Sequence, residues 1–308
     1  MKVKKIDSFL LSVAVLVVGF VFGSVYGFAQ TLPNHLLPNQ PQPEQAVQSV
    51  KTAVAVTAVS AANPPAKEHP LLPVIRWAET ERPKIARIND YSAILTKQEC
   101  VGGVVQEAQV MEVKVRHRPF SVYIKFLYPK SMAGQEAIYV EGKNNNKLIA
   151  HGVGVQKVFG TLRLDPAGAI AMRGNKYPIT EMGVLNLTDK LLEVGKKDSK
   201  FGECTVNYAE GVKIDGRECT MIQVTHPIPR SNFIFNIARI FVDKQLNMPI
   251  RYESYDWPKR EGASVTLIEA YTYQKLKLNN GFTDIDFEQQ NPAYGYPDEQ
   301  SNAKVSSR

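Results

Sequence analysis

Apolar and polar side chains alternate through the middle of the chain. Met111, Val113 and Val115 share one face of an extended segment, with Glu112, Lys114 and Arg116 on the other. Phe120, Val122, Ile124 and Phe126 alternate in the same way with Ser121, Tyr123 and Lys125. A period of two with one apolar face predicts half-buried antiparallel strands. Turn residues mark where they reverse. Residues 91–100 and 105–117 flank Gly102-Gly103, and residues 136–141 and 147–153 flank Gly142-Lys-Asn-Asn-Asn146. Residues 205–214 and 217–225 flank Asp215-Gly216, the strongest short hairpin signal in the chain. Residues 238–242, 248–255 and 265–276 extend the meander to about nine or ten strands.

Two segments break this rhythm. Pro73-Val-Ile-Arg-Trp77 suits a helix start, and Pro83 predicts a kink or two short helices before Ile88. Val184, Leu187, Leu191 and Val194 are spaced three, four and three apart, widened by Leu185 and Leu192, which predicts an amphipathic helix that the sheet must cover. The fold class expected is α+β: a single curved antiparallel β-sheet, an open half-barrel, with helices packed on its concave face.

The ends of the chain read differently. Lys2, Lys4 and Lys5 precede an apolar run from Phe9 to Phe22, which closes on Gly27-Phe28-Ala29. This is the shape of a signal peptide over residues 1–29, or of an uncleaved N-terminal anchor, and either places the rest of the chain outside the cytoplasm. Residues 30–69 hold six prolines, no aromatic residue and four charges, which predicts a disordered linker. Residues 70–297 are expected to form the β-rich domain and 298–308 a disordered tail. The expected location is the periplasm or cell envelope, secreted or N-terminally anchored.

Charge and cysteines narrow the partners. The net charge of +7 includes Lys2, Lys4, Lys5 and Asp7, which leave with the signal, and the remaining excess is scattered. Without a basic patch, nucleic acid is not an expected partner, while peripheral contact with an anionic membrane is allowed. Cys100, Cys204 and Cys219 are odd in number and fit no zinc spacing. The Asp215-Gly216 turn sets Val212 opposite Cys219 and Cys204 far along the ladder, which disfavours a Cys204–Cys219 bridge. Any pairing of Cys100 stays open.

No pattern of catalytic residues emerges. The chain lacks a Gly-x-Ser-x-Gly elbow and a His-Glu-x-x-His helix, and Gly152-Val-Gly154 lacks the third glycine of a dinucleotide loop. His117, His151 and His226 are far apart in sequence, and no carboxylate pair stands out. No metal or cofactor is expected. The densest unusual stretch runs from Thr225-His-Pro-Ile-Pro-Arg230 to Arg251-Tyr-Glu-Ser-Tyr-Asp-Trp257. Its arginines, Arg230, Arg239 and Arg251, suit either a polar rim for a carboxylate or phosphate head group, or cross-strand pairing with Glu and Asp, the favoured alternative.

Several phrases resemble one family. Tyr139-Val-Glu-Gly-Lys143, Lys147-Leu-Ile-Ala-His151, Cys219-Thr-Met-Ile-Gln-Val-Thr-His-Pro227, Arg239-Ile-Phe-Val-Asp243, Leu246-Asn-Met-Pro-Ile-Arg-Tyr-Glu253, Tyr271-Thr-Tyr273 and Gly281-Phe-Thr-Asp-Ile-Asp-Phe287 look like the bacterial exported family called domain of unknown function 1571. The resemblance implies no activity. Phe126-Leu-Tyr-Pro129 with the later Val-Asp-x-x-Leu-x-x-Pro-Ile return is similar, more weakly, to the periplasmic lipoprotein-carrier (LolA-like) half-barrel, which implies an apolar cavity for acyl chains. The function expected is non-enzymatic binding of a lipid acyl chain or other apolar ligand in the hollow of the sheet, lined by Met111, Val113, Val115, Val122, Ile124 and Phe126. The alternative is a structural or protein-interaction module of the envelope, with a filled core and an envelope protein as partner. A hydrolase with dispersed acidic residues is a third class, which two carboxylates facing each other across a cleft would mark.

Overall fold

The computed structural model describes residues 68–297, so the expected signal, the expected tail and nearly all of the expected linker fall outside the described residues. Within them lie two α-helices, α1 (Leu72–Ile85) and α2 (Val184–Asp198), and twelve strands. The strands are β1 (Asp90–Val101), β2 (Val104–Val105), β3 (Gln109–His117), β4 (Phe120–Tyr128), β5 (Glu136–Val140), β6 (Leu148–His151), β7 (Thr161–Leu164), β8 (Thr205–Ile214), β9 (Arg217–Thr225), β10 (Ile237–Asp243), β11 (Met248–Asp256) and β12 (Thr266–Leu278).

All but β2 follow one antiparallel path in the order β7-β6-β5-β4-β3-β1-β12-β11-β10-β9-β8, with β2 paired to β1. The first and last long strands meet at the centre, and two meandering wings spread from them to free edges at β7 and β8. The sheet is therefore open. Its local registers follow the turn chemistry: Val212 stands opposite Cys219, as the Asp215-Gly216 hairpin requires. Asp215 and Gly216 both take positive φ there, the backbone that such a turn demands. All three cysteines are free.

The helices form an antiparallel pair on one face of the sheet. Arg82, late in α1, makes a two-pronged ion pair with Asp189, early in α2, at 2.6 and 2.9 Å. At the other end, Gly195 of α2 lets Ile75 of α1 come close, since a Cβ there would sit 3.4 Å from Ile75 Cγ1. Pro83 does not split α1 into two short helices, one of the two outcomes expected of it. It stands in the last turn, where one missing N–H shortens the helix rather than splitting it.

The opposite face is covered by the chain itself. Residues 282–296 lie over β4 and β5, packing Phe282, Phe287, Tyr294 and Tyr296 against Tyr123, Ile138 and Val140. Tyr294 stacks on Tyr123 with ring centroids 3.9 Å apart. Lys114–Asp286 and Arg116–Asp284 ion pairs, at 2.8 and 2.9 Å, pin the segment to β3.

The candidate ligand cavity

Between the helix pair and the sheet lies a cavity of about 560 Å³. Its wall takes residues from β6, β5, β4, β3, β1, β12, β11, β10 and β9, from Leu148 at one end to Val224 at the other. Nine strands laid flat would be roughly 40 Å across at about 4.8 Å per strand. One cavity touches them all only because the sheet curls, which makes the helix-bearing face the concave one.

Helix α2 supplies the opposite wall. Its buried positions are Val184, Thr188, Leu192 and Asp198. Leu187, Leu191 and Val194, part of the stripe that the sheet was expected to cover, are only half-buried and face the cavity. Trp77 and Ala78 of α1 and Phe235 of the β9–β10 connection complete the apolar lining. The helices thus roof the hollow without filling it.

The residues singled out from the sequence divide in three ways. Met111, Ile124 and Phe126 line this cavity. Val115 lines a smaller neighbouring recess beside His117 and Tyr139, and Val113 and Val122 are closed into the core. The arginines are elsewhere. Arg239 and Arg251 point away from the cavity and share Glu253, with Arg251 Nη2 2.6 Å from Glu253 Oε2 and Arg239 Nη1 3.2 Å from Oε1. Arg230 is an exposed partner of Glu203. Alternation explains the placement, because Ala238, Ile240 and Tyr252, their neighbours along the strands, take the cavity side. Arg239 thus pairs across the strands with Glu253, Arg251 pairs with the same carboxylate along its own strand, and Arg230 meets Glu203 between two connections.

Sequence reasoning missed a polar patch on the cavity wall. Across β3, β1 and β12, Gln109 stands opposite Lys97, Lys97 opposite Tyr271, and Glu99 opposite Glu269. All five line the cavity. The Tyr271 hydroxyl lies 2.6 Å from Glu99 Oε1 and 3.2 Å from Glu269 Oε2. Lys97 Nζ is 3.2 Å from Glu99 Oε2, and Lys176 Nζ is 3.1 Å from Glu269 Oε2. The Lys176 backbone N–H donates to Glu99 and the Tyr177 hydroxyl to Glu269. Burial lowers the Lys97 ammonium below its ordinary value, partly offset by Glu99. Burial, reinforced by both carboxylates, raises the Tyr271 phenol far above its ordinary value, so it stays a donor.

These carboxylates sit side by side on one wall rather than facing each other across a cleft. Every oxygen of the pair already accepts a hydrogen bond or ion pair. The arrangement neutralises and holds buried charge. The histidines do not converge either. His151 lies 3.8 Å from Glu136 under the C-terminal segment, and His226 is 3.0 Å from Asp198. Among the described residues, no three His, Cys, Asp or Glu side chains form a group that could hold a metal ion.

The family described as protein of unknown function (DUF1571) matches residues 88–296, which include every strand named above. The chain belongs to that family. The cavity wall of this DUF1571 protein lies almost wholly within the matched segment, with α1 just before it. No curated protein matches the chain. Among solved structures, a putative outer membrane lipoprotein-sorting protein domain from Vibrio parahaemolyticus is 12% identical, with 70% of this chain and 96% of that one covered and a TM-score of 0.34. Lipoprotein LppX from Mycobacterium tuberculosis is 15% identical over 69% and 97%, with a TM-score of 0.38. A DUF1329 family protein from Desulfovibrio piger is 13% identical over 71% and 97%, with a TM-score of 0.35. Similarity of this order transfers neither ligand nor partner to the DUF1571 chain.

Proposed function

We propose that residues 70–297 are the working domain of an exported, non-enzymatic envelope protein, which holds a lipid acyl chain or other apolar ligand in the hollow of its sheet. The observation that supports this most strongly is the unfilled cavity of about 560 Å³ between sheet and helices, walled by Met111, Ile124, Phe126, Leu187 and Leu191. Protein interiors normally close over such space, because a void forfeits the contacts its lining would make. The volume falls in the ~300–1,000 Å³ range of small-molecule sites. Each methylene moved from water into the cavity contributes about 0.8 kcal/mol, so an acyl chain supplies enough to outweigh the cost of its capture. The N-terminal pattern over residues 1–29 supports export.

A second role, as an interaction module, draws on the connection between β6 and β7, where Val155 and Val158 are 84% and 73% exposed. That surface is compatible with contact to an envelope protein or membrane while the cavity holds its ligand.

The test is unfolding of the full chain with and without a fatty acid. At a free concentration about one hundred times Kd, the ligand should stabilise the fold by ~2.7 kcal/mol and raise Tm accordingly. An unchanged midpoint with fatty acids and with uncharged acyl amphiphiles alike would remove the proposal.

A further inference from the structure

The polar patch of the cavity holds one atom that the protein leaves unanswered. Gln109 is 5% exposed and lines the cavity, yet its Oε1 has no hydrogen-bond partner. Its Nε2 meets only the Met132 sulfur, at 3.7 Å. Whichever way the amide is turned, one end faces no nitrogen or oxygen of the protein. Buried polar groups are nearly always paired, and Gln109 Oε1, closed to solvent in a side chain that lines the cavity, is one that a ligand atom can complete once the amide turns toward the hollow.

The charges around it restrict what that ligand is. Lys97 and Lys176 balance Glu99 and Glu269, so the patch is neutral as built. An anionic head group entering here would shed its water beside two carboxylates, with no surplus cation to receive it. A cationic head group would find the carboxylate oxygens already engaged. Lys97 directs its ammonium to Glu99 and Asn175, which uses two of its three N–H groups. Its cross-strand neighbour on the same face is Gln109. With the Gln109 amide turned toward the cavity, a hydroxyl between the two side chains donates to its Oε1 and accepts the third Lys97 N–H, completing both.

We propose, building on the ligand-binding role above, that Gln109 and Lys97 seat an uncharged, hydroxyl-bearing head group. The occupant is then a neutral amphiphile of the acylglycerol class rather than a free fatty acid or a phospholipid. Its chain lies against Met111, Phe126 and Leu187, with its hydroxyl at the junction of β3 and β1.

The test compares a monoacylglycerol, a lysophosphatidic acid and a free fatty acid that share one acyl chain. Each is titrated into the full chain and into its Gln109→Leu variant. Trp77, which lines the cavity, supplies the fluorescence signal. The wild-type protein should bind the monoacylglycerol about tenfold more tightly than either anion. In Gln109→Leu that preference should fall to about twofold or less, while the Tm of the ligand-free variant stays equal or rises. Leucine is close in size to glutamine and removes a buried unpaired amide, so the variant is expected to fold. An anion that binds as tightly as the monoacylglycerol, or a preference that survives Gln109→Leu, overturns the assignment. Failure of all three amphiphiles to bind overturns the ligand-binding role itself.

Discussion

Two networks of buried charge occupy opposite faces of the same sheet. Away from the cavity, Arg239, Arg251 and Glu253 bridge β10 and β11, and Gln223 and Thr272 take up further guanidinium N–H groups. Toward the cavity, Tyr271 bridges Glu99 and Glu269 and Lys97 pairs with Glu99, but Gln109 beside them is left half-paired. Both networks obey the rule that buried charge is tolerated only with partners. They differ in completeness. The first, in which no buried side-chain atom lacks a partner, holds strands together and offers little to a ligand. An incomplete one, next to unfilled space, has capacity for a ligand.

The largest expected effect comes from breaking the first network. Glu253→Leu leaves the buried Arg251 and the half-buried Arg239 without their carboxylate and should cost ~3–5 kcal/mol in chemical denaturation. Its ligand affinity, measured on the folded fraction, should match the wild type. A folded Glu253→Leu protein that has lost binding would put the site on the wrong face. At the small end stands Arg230→Ala. Its pair with Glu203 is solvent-exposed, so the change should shift stability by less than ~0.5 kcal/mol and leave binding untouched. A clear loss of affinity in Arg230→Ala would restore Arg230 to a rim.

The unequal legibility of these features in the sequence has a physical cause. The hairpins at Gly102-Gly103 and Asp215-Gly216 were readable because turn chemistry and alternation act over a few residues. Val212 opposite Cys219 comes directly from them. The polar patch depends on β1 pairing with β12, which brings Glu99 opposite Glu269 from the far end of the domain, and no local rule reaches that far. A faint signal was nonetheless present. Lys97 and Glu99 continue the phase of Ala93 and Leu95, and Gln109 that of Met111 and Val113, so polar residues stand where alternation demands apolar ones. Helix α2 misled in the other direction. Its stripe of Leu187, Leu191 and Val194 looked like ordinary core, because hydrophobic periodicity marks a face turned from water without telling whether another side chain meets it.

Native mass spectrometry of the gently purified full chain, incubated with an acyl ligand beside a Leu191→Trp variant, tests the central claim most directly. Leu191 is half-buried on the cavity wall, so the larger indole occupies space that the ligand needs. The wild-type chain should carry one ligand mass, released on denaturation, and the folded variant should carry none. An empty wild-type chain, or equal uptake by Leu191→Trp, would show that the hollow is not a binding site.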